Sequence, residues 1–310
     1  MVFKAIFAII CILATSTTSA MIKKIFKTSW QGEGDGASVK RSIGVSELPD
    51  LDPFLMMDFF KVKLPAGFPD HPHRGFETVT YMISGSVNHE DFKGNKGTIG
   101  PGDIQWMTAG RGIVHAEMPS SHTEDSIGFQ LWINLPKEKK MMEPRYQEYT
   151  KGQLPVFENE NMKVVVIAGE YNGIKAKVSP ESTAHFYDVH LKGSQPFEHI
   201  IPDGWNALVY PYTDNPFTIQ NTAVQPHHAC VMKGEGKSFK VQNSSPSAIS
   251  KFIIIYGKPL GEPIAKYGPF VMNTQNEIKN TFSDYQQGKN GFEGADTWES
   301  HVKDIAHQDL

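Results

Sequence analysis

The sequence has very little cysteine, with only Cys11 and Cys230 among 310 residues. Cys11 lies in an apolar N-terminal stretch whose removal would leave Cys230 alone, and a lone cysteine excludes an intrachain disulfide. Long runs of lysine and arginine are also missing, and the formal net charge is −4 at pH 7. Because no run of Lys and Arg is long enough to follow a phosphate backbone, we expect no direct binding to nucleic acid.

Long apolar runs are scarce, and the one at the N-terminus is short. Lys4 precedes an apolar run at residues 5–14, and small polar residues follow as far as Ala20. A run of roughly ten residues is about half of what a membrane span needs. The pattern predicts a cleavable signal peptide at residues 1–20 and no membrane anchor, which places the protein in the secretory pathway, in the endoplasmic reticulum lumen or outside the cell. The alternative is translation from Met21, which would place the protein in the nucleus and cytoplasm.

Two short motifs agree with the secretory interpretation, although each is common by chance. Asn243-Ser244-Ser245 is a glycosylation sequon. The C-terminal sequence His-Gln-Asp-Leu at residues 307–310 is a loose variant of the tetrapeptide that retains lumenal proteins in the endoplasmic reticulum.

Glycine and proline are plentiful, with 27 and 20 residues, which suits many short strands joined by tight turns. Residues 54–135 form short segments rich in β-branched and aromatic residues, broken by turn sequences such as Ser84-Gly85. A polar segment at residues 136–161 separates them from a second β-rich stretch at residues 163–256. The pattern therefore predicts an all-β protein of two domains, built as barrels or sandwiches.

A helix is predicted only near the C-terminus. Thr274 and Glu277 have the spacing of a capping box. Ile278, Phe282 and Tyr285 then recur at helical spacing. We expect a short amphipathic helix that packs on a barrel.

Two pairs of polar residues are candidates for a metal site. His71 and His73 follow a turn rich in proline and glycine, and His115 and Glu117 follow the Gly110-Arg111-Gly112 turn. In an extended strand, residues two apart point to the same face, so each pair can offer two ligands to one point. Three imidazoles and one carboxylate suit Fe²⁺, Mn²⁺, Ni²⁺ or Cu²⁺ better than a closed structural zinc site.

Two long motifs carry a family resemblance. GFPDHPHRGFETV at residues 67–79 and GDIQWMTAGRGIVHAE at residues 102–117 resemble the two cupin motifs of the pirin family. The resemblance continues through GPFVMNT at residues 268–274 and KNGFE at residues 289–293, and covers nearly everything from Met21 to about Trp298. It implies two tandem cupin (jelly-roll) β-barrels with a short C-terminal helix.

The resemblance also implies that only one of the two domains binds a metal. Residues 21–145 would form the N-terminal metal-binding cupin domain. Residues 146–310 would form a C-terminal cupin domain without metal, followed by the helix.

The pirin pattern places the metal ligands on His71, His73, His115 and Glu117, and the metal it implies is a single non-haem Fe²⁺. Glu77 is a competing carboxylate, because many other cupins take their acidic ligand from that place in the first motif. Spacing alone does not choose between Glu77 and Glu117. The pirin pattern selects Glu117 and leaves Glu77 as a hydrogen-bonding residue near the site or in the core.

Some pirins have quercetin 2,3-dioxygenase-type activity, so the resemblance implies O2 and a flavonol-like small molecule as substrates. Glu117 would then accept the proton of the flavonol 3-hydroxyl. A different role is also implied, because animal pirins resemble iron-dependent coregulators that bind transcription factors. In that role, oxidation of the iron would act on loops that carry Arg74 or Arg111. In both cases we expect a monomer.

Further residues are secondary candidates. Four side chains are expected to line the metal pocket: Phe68, Trp106, Gln130 and Trp132. In the second domain, His199 and the pair His227-His228 lack the paired spacing of the first domain and are interpreted as structural. Cys230 is interpreted as a small buried apolar residue.

Overall fold

A computed structural model describes residues 21–245 and 247–305 of the chain. The predicted signal peptide at residues 1–20 and the C-terminal tetrapeptide at residues 307–310 lie outside the described residues. Within the described ranges, no helix is long and apolar enough to cross a membrane.

The first half of the chain forms a cupin barrel from two antiparallel sheets. Its large sheet has the strand order β12-β9-β6-β11-β4-β3-β2, and its small sheet has the order β5-β10-β7-β8. The strands up to this point in the chain are β1 Ile22–Lys27, β2 Trp30–Glu33, β3 Ala37–Ile43, β4 Phe54–Val62, β5 Phe68–His73, β6 Phe76–Ser84, β7 Val87–Asp91, β8 Lys96–Ile99, β9 Ile104–Thr108, β10 Ile113–Pro119, β11 Ser126–Asn134 and β12 Arg145–Tyr149.

The second half forms a second barrel of the same kind. Its sheets have the orders β1-β22-β19-β24-β17-β14-β13 and β18-β23-β20-β21. The remaining elements are β13 Val156–Glu158, β14 Met162–Ala168, β15 Glu170–Tyr171, β16 Ile174–Lys175, β17 Ala184–Leu191, β18 Phe197–Ile200, β19 Asn206–Pro211, β20 Phe217–Ile219, β21 Thr222–Val224, β22 His228–Lys233, β23 Ser238–Asn243, β24 Ser250–Gly257, β25 Ala265–Tyr267, β26 Phe270–Met272, α1 Gln275–Gln286 and α2 Val302–Ile305. The predicted all-β fold of two tandem cupin barrels is confirmed.

The two barrels repeat one another strand for strand. The series β4, β5, β6, β7, β8, β9, β10 and β11 of the first barrel corresponds to β17 through β24 of the second, with the same neighbours in each sheet. Strand β1 pairs with β22 at the sheet edge where β12 pairs with β9 in the first barrel. The first strand of the chain therefore completes the second barrel.

The end of the chain returns to the first barrel. Arg74 forms a parallel bridge with Phe270 of β26, and its guanidinium donates to Asp284 of α1 at 2.8 Å. Helix α1 has the predicted capping box, because Thr274 and Glu277 bond each other's backbone N–H groups. The C-terminal segment is thus part of the first barrel in space, although it follows the second barrel in sequence.

Apolar side chains fill the space between the two large sheets. Phe129 of β11 packs edge-on against Tyr212 at 5.4 Å between ring centroids. Phe59 and Tyr210 belong to the same buried cluster. Each large sheet is therefore covered on both faces, by its own barrel interior and by the other barrel.

The sequon residue Asn243 is also buried. Only 6% of its surface is exposed. Its amide nitrogen donates to the carbonyl oxygen of Ala248 at 2.6 Å and to that of Leu191 at 3.4 Å. In the folded chain this amide is occupied by the protein's own backbone.

Candidate metal centre

Three imidazoles converge inside the first barrel. Strands β5 and β10 pair in antiparallel register with His71 opposite His115, and His73 lies two residues further along β5. One ring nitrogen of each histidine lies within 4.8 Å of the other two. Within residues 21–245 and 247–305, this is the one group of His, Cys, Asp or Glu side chains that converges in this way.

The three rings are held as neutral donors. Burial is the main cause that lowers the pKa of His71, and it lowers the pKa values of His73 and His115 well below the ordinary range. Nδ1 of His71 lies 2.7 Å from the carbonyl oxygen of Pro69, which fixes the proton on Nδ1 and leaves a lone pair on Nε2. That Nε2 lies 3.0 Å from Nε2 of His115.

A cation fits this arrangement. Both ring nitrogens of His73 are buried and have no hydrogen-bond partner in the protein, and one of them carries a lone pair in the neutral ring. Buried polar atoms without partners are costly, and the cost falls when an ion accepts their lone pairs. The donor set is therefore suited to a divalent transition metal.

Glu117 faces the same cavity from strand β10 but stands apart from the three imidazoles. It is not in the group whose ligand atoms lie within 4.8 Å of one another. Its Oε1 accepts a hydrogen bond from the hydroxyl of Thr80 at 2.8 Å, and only 6% of its surface is exposed. The structure thus brings His71, His73 and His115 together and holds Glu117 beside them, on the wall of the same cavity.

Glu77 lies on the opposite face of the large sheet and cannot reach the imidazoles. Its Oε1 accepts hydrogen bonds from Nε1 of Trp106 at 3.0 Å and from the hydroxyl of Thr108 at 2.8 Å, and Oε2 lies 3.2 Å from the backbone nitrogen of Glu181. Burial raises the pKa of Glu77 to about 7. Trp106 is likewise on this face, so the prediction that it lines the metal pocket is wrong.

A cavity of about 830 Å³ opens onto the imidazoles. Of the residues expected to line it, Phe68, Gln130 and Trp132 do so. Trp132 also packs edge-on against His73 at 5.4 Å between ring centroids. Much of the remaining wall is aliphatic or aromatic.

The C-terminal hairpin forms one wall of this cavity, which sequence reasoning missed. Lys266, Pro269 and Val271 all line it. The family motif at residues 268–274 was a signal that this segment matters, but it carries no residue type that indicates a pocket wall.

Family comparisons agree with this architecture. The Pirin family model matches residues 36–133, and the model of the Pirin C-terminal cupin domain matches residues 186–291. The chain belongs to the pirin family.

Named pirins are similar over nearly their whole length. A pirin-like protein of Solanum lycopersicum is 48% identical over 281 residues, which are 90% of this chain and 96% of that protein. Human pirin is 48% identical over 276 residues, which are 88% of this chain and 94% of that protein.

Solved structures show the same pirin fold. A quercetin 2,3-dioxygenase from Acinetobacter baumannii superposes with a TM-score of 0.80 at 32% identity, over 88% of this chain and 98% of that one. The bacterial pirin YhhW of Escherichia coli, solved in complex with nickel(II), superposes with a TM-score of 0.60 over 76% of this chain and 99% of that one. At 19% identity the latter comparison supports the fold alone.

The second pirin barrel contains a different polar cluster in the corresponding interior. The hydroxyl of Tyr256 lies 2.9 Å from Nδ1 of His185, 2.8 Å from Nε2 of His199 and 2.7 Å from the hydroxyl of Tyr187. Burial lowers the pKa of His185 and of His199 to about 4. The members bond one another, so His199 is structural as predicted, whereas His185 was not predicted at all.

The other secondary candidates of the second barrel are also structural. Nδ1 of His228 lies 3.0 Å from the carbonyl oxygen of Pro226, and Nδ1 of His227 lies 3.3 Å from the hydroxyl of Tyr210. Cys230 is buried, and burial raises the pKa of its thiol to about 12. A thiol with such a pKa is unreactive near neutral pH.

Arg74 and Arg111 occupy different environments. Arg74 is 1% exposed and bonds to the C-terminal segment, so it cannot contact a protein partner directly. The side chain of Arg111 is 31% exposed and pairs with Glu143 at 2.8 Å.

Proposed function

We propose that this protein is a metal-dependent dioxygenase that opens the heterocycle of a flavonol such as quercetin, with O2 as co-substrate and carbon monoxide released. One Fe²⁺ would be held by His71, His73, His115 and Glu117, with Mn²⁺, Ni²⁺ and Cu²⁺ as alternatives. The observation that carries the proposal is the convergence of three neutral imidazoles on a largely apolar cavity of about 830 Å³. That volume is in the range of small-molecule sites.

A bound Fe²⁺ would supply the redox chemistry that lets an organic substrate react with dioxygen. The chain supplies the remaining functions. The carboxylate of Glu117 faces the cavity and is held through one oxygen by Thr80, which leaves Oε2 free to accept the proton of the substrate's 3-hydroxyl. Trp132 and the neighbouring apolar walls orient a flat substrate and exclude water.

The Acinetobacter baumannii quercetin 2,3-dioxygenase supports the choice of substrate, because it shares this fold at 32% identity over 88% of the chain. The reaction itself is our proposal for this protein.

Oxygen uptake tests the proposal directly. Iron-loaded protein is expected to consume oxygen and quercetin together, with carbon monoxide formed in equal amount. His115→Ala removes one imidazole of the triad and is expected to abolish uptake and to lower the iron content. His199→Ala removes an imidazole from the second barrel and is the matched control, expected to keep both. Iron-bound protein without any quercetin-dependent uptake would contradict the enzyme role and favour the coregulator role, in which the partner is a transcription factor.

We also propose that the protein enters the secretory pathway, because residues 1–20 have the pattern of a signal peptide. Asn243 is buried, so glycosylation at this site would have to precede folding. The N-terminal residue of the protein recovered from a secretory fraction tests this, since cleavage after Ala20 leaves Met21. Recovery from the cytosol or nucleus would contradict it.

A further inference from the structure

A row of polar side chains crosses the floor of the metal cavity. Arg41 of β3 lies opposite Asp58 of β4, Asp58 lies opposite Gln130 of β11, and Gln130 lies opposite Thr80 of β6. All four line the cavity. We call Arg41, Asp58, Gln130 and Thr80 the polar strip. Its members come from four neighbouring strands in direct register, so they form a straight line across the sheet.

The strip joins the metal end of the cavity to its rim. At the inner end, Thr80 contacts Glu117. At the outer end, the side chain of Arg41 is 19% exposed and the side chain of its partner Glu33 is 39% exposed. Neighbouring strands are about 4.8 Å apart, so two spacings place Asp58 about 10 Å from Thr80. An aryl ring that extends from a chelated centre, with a hydroxyl at its far end, has this reach.

The outer part of the strip is rich in hydrogen-bond acceptors. Nε and one terminal nitrogen of Arg41 donate to the two oxygens of Asp58 at 2.9 and 2.7 Å, and the same terminal nitrogen donates to Glu33 at 2.7 Å. Each carboxylate oxygen of Asp58 accepts one of these bonds and can accept another. Two carboxylates and one guanidinium leave an excess of one negative charge.

The rest of the wall beside this group is apolar. Val39, Met56 and Phe60 line the cavity next to Asp58. A hydroxyl that enters such a wall gains little unless it meets an acceptor, and Asp58 is the buried acceptor available there, with 3% of its surface exposed.

We propose that the polar strip is a subsite that selects substrates with hydroxyl groups on the ring remote from the metal. The ligand class is a flat, uncharged polyhydroxylated aromatic molecule that donates hydrogen bonds to Asp58. The excess negative charge disfavours molecules with a carboxylate or sulfate at that end. This inference rests on the proposed function, because it assumes that the chelating end of the ligand meets the metal.

Two flavonols with the same chelating edge test the subsite. Quercetin carries ring hydroxyls, whereas 3-hydroxyflavone keeps only the 3-hydroxyl and the neighbouring carbonyl. Binding of each to iron-loaded protein is measured without oxygen, from the quenching of tryptophan fluorescence. The protein is expected to bind quercetin about tenfold more tightly, which corresponds to one hydrogen bond to a charged acceptor.

Asp58→Asn is expected to reduce this ratio to about twofold while affinity for 3-hydroxyflavone stays unchanged, because the amide is a weaker acceptor. Asp35→Asn is the matched control. Asp35 also lines the cavity and carries the same charge, but it is exposed and lies outside the strip. The Asp35→Asn variant is expected to have the same ratio of quercetin affinity to 3-hydroxyflavone affinity as the unmodified protein. Glu33→Gln, at the exposed rim, provides a second variant if Asp58→Asn does not fold.

Equal affinities for the two flavonols in the unmodified protein would overturn the inference, as would no binding of either. An unchanged ratio in both Asp58→Asn and Glu33→Gln would also overturn it. Selective binding without oxygen uptake would contradict the proposed reaction and leave the subsite standing. Turnover of both flavonols without preference would contradict the subsite and leave the reaction standing.

Discussion

The hydroxyl of Thr80 lies 2.8 Å from Oε1 of Glu117 and 2.6 Å from Oε1 of Gln130. A hydroxyl carries one proton, so it cannot donate to two acceptors at once. The two ends of an amide are interchangeable in such a position, and turning the Gln130 amide so that its NH2 group faces Thr80 satisfies all three groups. Gln130 then donates to Thr80, and Thr80 donates to the carboxylate of Glu117.

The hydrogen bonds from Gln130 to Thr80 and from Thr80 to Glu117 predict that Thr80 positions Glu117 for metal binding. Thr80→Val keeps the shape of the side chain but removes the hydroxyl, so the carboxylate loses the bond that orients it. We expect metal affinity, measured by competition with a chelator, to fall by about tenfold, as is usual when a partner of a metal ligand is lost. Thr80→Ser keeps the hydroxyl and is expected to bind metal like the unmodified protein. Equal affinity in Thr80→Val and Thr80→Ser would rule out this role.

Much of the imidazole site could be predicted from sequence, because alternation in a strand depends only on local geometry. His71 and His73 had to share a face, and so did His115 and Glu117. The pairing of β5 with β10 then brings the two histidine-bearing segments together. The spacing could not predict which of these side chains bind a metal, since metal binding depends on the distances between their ligand atoms.

The choice between Glu77 and Glu117 could not come from the pattern of strand β6. Its residues from Phe76 to Met82 are all buried, because one face lines a barrel and the other meets the second barrel. Polar and apolar residues therefore do not separate the two faces, and alternation cannot say which one is the cavity. The wall at Lys266 to Val271 was equally inaccessible to sequence reasoning, because it depends on a return of the chain from the second barrel.

The raised pKa of the buried Glu77 carboxyl predicts that part of the protein's stability is lost as the pH rises. Its pKa is about 7 in the folded state and near 4.5 when unfolded, so the folded state binds the extra proton between these values. The stabilisation is complete below pH 4.5 and disappears as the pH rises through 7. A shift of this size corresponds to at most about 3 kcal/mol in the free energy of unfolding.

Denaturant unfolding at pH 5 and pH 8 measures this contribution. Glu77→Gln cannot ionise and is expected to show a smaller decrease between the two values than the unmodified protein. Glu138→Gln, on an exposed turn, serves as the control and should keep the full decrease. If Glu77→Gln lost as much stability as the control, the ionisation of Glu77 would not be the cause.

The second barrel predicts the opposite dependence at lower pH. His185 and His199 have pKa values of about 4 when folded and 6.5 when unfolded, so the unfolded chain binds more protons between these values. Their contribution is present above pH 6.5 and is lost as the pH falls through 4. We expect the free energy of unfolding of His199→Gln to fall less steeply between pH 6.5 and pH 4 than that of the unmodified protein. Denaturant unfolding across this range measures the slope. The side chain of His301 is 89% exposed and its contact with Glu90 is a surface ion pair, which contributes little, so His301→Gln should unfold nearly like the unmodified protein. Identical acid transitions in all three proteins would contradict the assignment.

Gly75 predicts how the cavity wall is held against the first barrel. Its φ is +89°, and a Cβ at this position would lie 1.9 Å from the carbonyl oxygen of Val271 in β26. Gly75→Ala must therefore push the C-terminal hairpin away from the imidazoles. Gly94 has nearly the same φ, +91°, with nothing within 4 Å of an added Cβ. Gly94→Ala thus measures the backbone strain alone, which is about 1–2 kcal/mol for a residue other than glycine at positive φ.

We expect Gly75→Ala to lower the free energy of unfolding by roughly 3 kcal/mol or more, because overpacking adds to the strain. It should also weaken binding of quercetin, since Val271 and its neighbours form a wall of the cavity. The metal affinity should change less, because the three imidazoles lie on β5 and β10. If the two alanine variants were equally stable, the close approach of Gly75 to β26 would not constrain the wall.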